Sequence, residues 1–255
     1  MTAHGSSRVV LITGASGGVG RGIAHACAEL GWTVWIAARR RVEGELVASE
    51  VAARGGVGHF VECDASVAAD LDRVVATIIS TSGHLDGVVH NATSGLSPKP
   101  VVFTDVPLAE LEDHVAVSLR GLYLLALATY PHLLQSKGSF VVLTSEAGFE
   151  GKAKLSVYAA VKAAQRGIVR SLAREWGSDG VRINCVAPLA GTPAMERAFE
   201  MDPEMAARVL GRNPLGRMGD PATDVGPIVR FLLSDDARYL TGNTLMADGG
   251  SCPIT

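Results

Sequence analysis

Two sets of residues in this 255-residue sequence are of types that do chemistry. The first is Tyr158 with Lys162, four positions apart and so on one face of any helix that carries them. A phenol, with an ordinary pKa of about 10, gives or takes a proton, and an ammonium beside it favours the phenolate. Chance puts such a pair on many helices, so it needs company. Ser145, thirteen residues earlier, brings a hydroxyl. The second set is the run Thr13-Gly14-Ala15-Ser16-Gly17-Gly18-Val19-Gly20. Glycines let a backbone turn tightly and approach a pyrophosphate, and a helix N-terminus behind them offers free N–H groups and a positive dipole end. A bare tight turn would look the same, so position must decide.

The elements around these residues supply that position. Val9 to Ile12 is a continuous apolar run, as in a strand covered on both faces. The glycine run follows directly, and Ile23, Cys27 and Leu30 then recur at helical spacing up to Gly31. Strands are predicted over Thr33–Ala37, Val57–Glu62, Leu85–His90, Ser139–Thr144, Val181–Ala187 and Thr244–Ala247. Between them, Ser66 is the expected N-cap of a helix carrying Leu71, Val74 and Ile78. A long helical region runs from Leu108 to Gln135. Leu155 to Trp176 is a helix with Val157, Val161, Ala164, Ile168 and Leu172 on one stripe. Asp220-Pro221 opens a helix to Leu233. Alternating strands and helices imply an α/β fold: one doubly wound parallel sheet of Rossmann type with helices on both faces, a single domain spanning residues 1–255. Residues 189–218 are weakly periodic and read as a lid inserted into it. In such sheets ligands bind at the carboxyl ends of the strands, which is where the glycine run and Ser145 both fall.

The second strand ends at Ala38-Arg39. An acidic residue there would hold the ribose 2′-hydroxyl of NAD, whereas a small residue followed by arginine leaves room for a 2′-phosphate with a cation beside it. NADP(H) is therefore favoured over NAD(H), against the plainer reading of Arg39 as a solvated turn residue.

Composition narrows the class. Hydrophobic residues make up 47% and charged residues 19%, which describes a globular chain. A net charge of -3 gives no general attraction to nucleic acid or anionic membrane, and the run Arg39-Arg40-Arg41 is too short for a nucleic-acid stripe. The apolar stretch from Gly121 to Leu134 is interrupted by Tyr123, Thr129, Tyr130, Pro131 and His132, so no membrane span is expected. The small, polar stretch Met1–Arg8 is no signal peptide. Among the four cysteines, Cys27, Cys63 and Cys185 sit in apolar stretches as core residues; none forms a C-x-x-C pair, and no metal site is expected. A cytoplasmic protein is the expectation.

These residues together resemble the short-chain dehydrogenase/reductase family over essentially the whole chain. Thr13 to Gly20 matches its T-G-x-x-x-G-x-G turn, Tyr158-Ala159-Ala160-Val161-Lys162 its Y-x-x-x-K, and Ser145 its catalytic serine. Asp64 matches the aspartate beside the adenine, Asn91-Ala92 the N-A-G segment, and Ser171 to Glu175 and Asp248-Gly249-Gly250 are also similar. The resemblance implies hydride transfer between a nicotinamide and a carbonyl carbon, with Tyr158 as acid/base, Ser145 bonding the substrate oxygen, and Lys162 holding the nicotinamide ribose. It implies that Lys162 draws the phenol from about 10 towards neutrality, which takes roughly 3–4 kcal/mol of phenolate stabilisation. Cofactor contacts are implied for Gly14, Ser16, Gly18, Val19, Gly20, Arg39, Asp64, Ala65, Asn91, Ala92, Tyr158, Lys162, Pro188 and Thr192. A homotetramer acting on a small molecule is implied as well, with Leu122, Leu125, Leu127, Ile168 and Val169 as helix residues that cannot all face the sheet.

The chain departs from the family pattern at three places. Ser118 stands where an asparagine usually supports a water chain behind the lysine, and is read here as a catalytic relay residue of shorter reach. Thr93 replaces the glycine of N-A-G, and Leu189 replaces a glycine after Pro188. These departures motivate an alternative, a non-catalytic NADP(H)-binding sensor, which the intact Ser145, Tyr158 and Lys162 oppose. A dehalogenase on this scaffold would lack the glycine turn and the lysine. Family reductases of carrier-protein thioesters tend to keep a basic residue near the end of the Tyr158 helix, where this chain has Asp179. With Met195, Phe199, Met201, Met205 and Leu210 on the lid, a medium-sized apolar ketone or secondary alcohol is the expected substrate.

Overall fold

The computed structural model describes residues 7–97 and 99–252; the chain's first six and last three residues, part of the predicted single domain, lie outside the described residues. Seven strands form one parallel sheet in the order β3-β2-β1-β4-β5-β6-β7. They are β1 (Val9–Thr13), β2 (Thr33–Ala38), β3 (Val57–Glu62), β4 (Gly87–His90), β5 (Ser139–Leu143), β6 (Arg182–Pro188) and β7 (Thr244–Ala247). The strand order reverses between β1 and β4, where Thr13 pairs with Ala37 on one side and His90 on the other. That reversal opens a crevice at the carboxyl ends of the strands.

Successive strand residues point to opposite faces, and two cores result. On one face Val10, Ile12, Val34, Ile36, Val89 and Val141 pack under α1 (Gly18–Ala28), α2 (Arg41–Ala53) and α10 (Gly226–Leu233). On the other, Leu11, Trp35, Val88, Phe140, Val142 and Ile183 pack under α3 (Ala68–Ser82), α5 (Gly121–Ser136) and α7 (Ser156–Trp176). Each fully buried aliphatic side chain contributes about 1.5–3 kcal/mol, which is what pins the sheet between its helices.

Several local expectations change. Helix α2 carries only a narrow buried strip, Gly44, Val47, Ala48 and Val51, so its periodicity is muted in sequence. Gly44 is needed there because a Cβ would fall 2.2 Å from the Phe60 ring on β3. Ser66 does not cap α3, which begins at Ala68. Its hydroxyl instead donates to Asp64 Oδ1 at 2.7 Å, closing a tight turn after β3. The long region from Leu108 is not one regular helix: α4 (Leu108–His114) and α5 are joined by a π-helical stretch over Val115–Arg120, which contains Ser118. Asp220 caps the turn before α10 as expected, Oδ1 accepting from the N–H groups of Ala222 and Thr223 at 2.8 Å each. The segment read as a lid carries two nine-residue helices, α8 (Pro193–Met201) and α9 (Pro203–Gly211). All four cysteines are buried and unpaired, Cys252 included.

Candidate active site

A cleft of about 1320 Å³ lies along the carboxyl edge of the sheet. The turn between β1 and α1 forms its floor. Gly14 has φ +68, and a Cβ there would meet Ala92 Cα at 2.9 Å, so glycine is required on two counts. Asn91 fixes the turn from β4: its Nδ2 donates to the carbonyls of Thr13 at 3.1 Å and Gly14 at 3.0 Å. Beneath them Gly20 is a packing glycine, its Cβ position 2.6 Å from Asn91 Nδ2 and 2.8 Å from Ala15 Cα. Gly17 caps α1 without a side-chain bond, so the N–H groups of the first turn have no partner within the helix and face the cleft. This cradle fits a pyrophosphate.

At the end of β2, Arg39 is mostly exposed and stands 4.0 Å from Asp64 Oδ2. Arg40, which the sequence reading passed over, lies closer to the glycine turn: its Nη2 donates to Ser16 Oγ at 3.1 Å and Ser16 O at 3.3 Å. Asp64 is itself ordered by Ser66, whose N–H donates to it at 2.9 Å. Thr192 begins the lid as a cap of α8, Oγ1 accepting from Met195 N at 3.2 Å, with its methyl against Gly18.

The catalytic candidates come from β5 and α7. Ser145 follows β5, Tyr158 and Lys162 share a face of α7, and all three line the cleft. Lys162 is buried and its Nζ donates to Leu143 O at 2.7 Å, lying 5.7 Å from the Tyr158 ring centroid. Burial lowers the lysine to about 8. Burial pushes the Tyr158 phenol up to about 12, with the Ser145 hydroxyl opposing the shift and the Glu146 carboxylate adding to it. In this structure desolvation of the phenolate dominates, and the lysine ammonium is turned to the Leu143 carbonyl.

Of the residues singled out in sequence, Gly14, Ser16, Gly18, Val19, Arg39, Asp64, Ala65, Asn91, Ala92, Ser145, Tyr158, Lys162, Pro188 and Thr192 all border this cleft. Gly20 lies beneath it, and Ser118 is set apart. Ser118 is fully buried and its hydroxyl has no partner among the described residues. Its carbonyl, exposed by the π-helical stretch, accepts from Gln165 Nε2 at 3.0 Å and lies 3.3 Å from His90 Nε2. No hydrogen bond joins the Ser118 hydroxyl to Lys162, so the relay expected of it is not made directly. Thr93 turns to Ser97 Oγ at 3.3 Å, and Leu189 does form part of the cleft wall.

The lid end of the cleft is less apolar than expected. Met195 and Met205 line it, but Met201 points to solvent, 87% exposed, and the ion pairs Glu146–Lys152 and Glu150–Arg212 line it too. His114 packs edge-on to Tyr158, ring centroids 6.3 Å apart, with Nδ1 3.1 Å from Ser97 Oγ. Glu146, Lys152 and His114 were missed in sequence; a charged residue directly after Ser145 was the one available signal. Asp179 does not stand free beyond α7, because the Tyr130 hydroxyl donates to it at 2.6 Å.

Among the described residues no group of three or more His, Cys, Asp or Glu is placed to hold a metal, and no helix is long and apolar enough to cross a membrane. Comparison with known proteins agrees with the geometry. The family model described as Enoyl-(Acyl carrier protein) reductase matches residues 14–252. The chain is 35% identical over 252 residues to an L-rhamnose 1-dehydrogenase (NAD(P)(+)) of Azotobacter vinelandii, covering 95% of this chain and 96% of the relative. It is 31% identical over 246 residues to the 3-oxoacyl-[acyl-carrier-protein] reductase FabG of Staphylococcus aureus, covering 96% and 98%. A short-chain type dehydrogenase/reductase from Mycobacterium ulcerans superposes with a TM-score of 0.90 at 27% identity, covering 96% of this chain and 90% of that one. Matched nearly end to end by sequence and by fold, the chain belongs to the short-chain dehydrogenase/reductase family, NAD(P)-dependent oxidoreductases that act between CH–OH and C=O groups.

Proposed function

We propose that the protein is an NADP(H)-dependent carbonyl reductase with Tyr158 as its general acid. The observation that carries this reading is the convergence of Ser145, Tyr158 and Lys162 in one cleft with the glycine turn. The cofactor would lie with its pyrophosphate on the first turn of α1, its adenosine end between Arg39, Arg40 and Asp64, and its nicotinamide end by Lys162, Pro188 and Thr192. When bound, it supplies the hydride.

The chain's own groups do the rest. As the substrate oxygen gains negative charge, Ser145 and Tyr158 stabilise it by hydrogen bonds, and the Tyr158 proton moves to it. A phenol held at about 12 keeps its proton throughout the neutral range, as a general acid requires. The Lys162 ammonium, fixed by Leu143 O, is available to the ribose hydroxyls. Arg39 and Arg40, with no acidic side chain at the end of β2, favour the 2′-phosphate of NADP(H).

The segment 189–218 acts as a substrate lid. Four buried, unpaired cysteines suit a reducing compartment and support a cytoplasmic location. The test is NADPH oxidation with a panel of ketones and aldehydes by wild type and Tyr158→Phe. The variant is expected to lose ~100- to 10,000-fold in turnover while NADPH binding is nearly unchanged. Wild-type turnover by Tyr158→Phe overturns the mechanism.

A further inference from the structure

Ser145 has one proton to donate, and in the structure it goes to Glu146: Ser145 Oγ donates to Oε2 at 2.7 Å. The other carboxylate oxygen, Oε1, accepts from Lys152 Nζ. Glu146 is therefore mostly buried in the cleft wall with both oxygens engaged. The Ala147 N–H, at the start of the short helix α6 (Ala147–Glu150), donates to Ser145 Oγ at 3.2 Å. That bond fixes the hydroxyl oxygen and leaves its proton free to choose an acceptor.

A carbonyl substrate that reaches Tyr158 must also draw the Ser145 proton to itself. To donate there, Ser145 has to leave Glu146 Oε2. A mostly buried carboxylate oxygen that loses its donor without replacement costs more than an ordinary hydrogen bond returns. A plain ketone brings no replacement. A ketone with a hydroxyl on the neighbouring carbon does, since its second oxygen lies within one hydrogen-bond length of the first and can donate to Oε2 while the carbonyl accepts from Ser145. A substrate ammonium fits less well, because Lys152 already balances the carboxylate and a second cation would face it. The Glu150–Arg212 pair, 2.8 Å apart, continues the polar wall towards α9 and offers further partners to hydroxyl groups.

We propose that Glu146, held by Lys152, is a specificity-determining residue that selects substrates bearing a hydroxyl next to the reacting carbon: α-hydroxy ketones in reduction, vicinal diols in oxidation. This rests on the carbonyl-reductase reading of Ser145 and Tyr158. The test uses two matched pairs, acetoin against butanone and 2-hydroxycyclohexanone against cyclohexanone, with NADPH, comparing kcat/KM within each pair. Wild type is expected to prefer the hydroxy ketone at least tenfold, ~1.4 kcal/mol. In Glu146→Leu that ratio is expected to collapse to near one, whereas Lys152→Met, which keeps the carboxylate, retains the preference. A wild-type ratio of one or below overturns the inference even if Glu146→Leu does not fold, and so does a ratio that survives in Glu146→Leu. In those outcomes both ketones are still reduced and the carbonyl-reductase reading stands. No NADPH oxidation with any of the four ketones, NADPH being bound, counts against that reading itself, and the inference falls with it.

Discussion

Lys162→Met is expected to make the protein more stable while destroying its activity. The lysine is buried, and burial lowers it from 10.5 to about 8. At ~1.4 kcal/mol per pH unit, that displacement corresponds to roughly 3 kcal/mol by which the buried ammonium opposes folding at neutral pH. Methionine keeps the length of the side chain without the charge. It also removes the charge-assisted bond from Nζ to Leu143 O, 2.7 Å in the structure, which takes back about 1.5–3 kcal/mol. A net gain of up to about 1.5 kcal/mol at pH 7 follows, or a rise in Tm of up to roughly 3–6 °C for a domain of this size. The sign with pH is fixed. Between about 8 and 10.5 the unfolded lysine binds a proton that the folded one has lost, so wild-type stability from this group rises across that window. The advantage of the variant therefore narrows between pH 7 and pH ~9.5. Thermal and urea unfolding of the cofactor-free proteins at both pH values measure this. A variant less stable than wild type at pH 7, or a gap that does not narrow with pH, would refute the account of Lys162 as a charge held at a cost to folding.

Arg40→Ala, like Arg39→Ala, is expected to weaken NADPH binding at least tenfold, ~1.4 kcal/mol, and NADH binding little; fluorescence titration showing equal losses for both cofactors would remove the 2′-phosphate reading. A homotetramer is expected by light scattering, although its basis shifts: Leu122, Leu125 and Val169 are buried within the subunit, while Tyr123, Leu127 and Leu134 leave an exposed apolar face on α5. Tyr123→Glu together with Leu127→Glu should give smaller species, and a wild-type monomer at micromolar concentration would end that expectation.

What the sequence showed, and what it hid, divides along physical lines. The strands were legible because both faces of the sheet are covered, so Val9 to Ile12 and Phe140 to Leu143 are unbroken apolar runs. The glycine turn and the Tyr158–Lys162 pair were legible because their function depends on residue type at fixed local spacing. Helix α2 was not, since half of its strip against the sheet is glycine and alanine, which carry little hydrophobic signal. The surroundings of Ser118 were not legible because they depend on contacts among a strand, a π-helical stretch and a distant helix. Glu146 was overlooked for a similar reason: sequence places it beside Ser145 but cannot say that its carboxylate turns back to the serine hydroxyl.

Three buried polar side chains of this chain gather in one place. His90 at the end of β4, Ser118 in the π-helical stretch and Gln165 one turn past Lys162 meet around a single carbonyl oxygen. Each of them keeps one buried polar atom, His90 Nδ1, Ser118 Oγ and Gln165 Oε1, with no partner among the described residues. Burial lowers His90 to about 3, so its ring is neutral at physiological pH and adds no second charge beside the Lys162 ammonium, which itself pushes the imidazole in that direction. Elsewhere the same faces of the sheet are filled by Val, Ile, Leu and Phe. Packing alone would favour such residues here too, because an unsatisfied donor or acceptor opposes folding where a methyl group would favour it. The sequence instead places these three groups beside Lys162, a lysine that lines the cleft. That concentration ties much of the cost in stability to the surroundings of Lys162 and Tyr158; Ser156 Oγ and Arg166 Nε, both on α7, are the other buried side-chain atoms without a partner among the described residues.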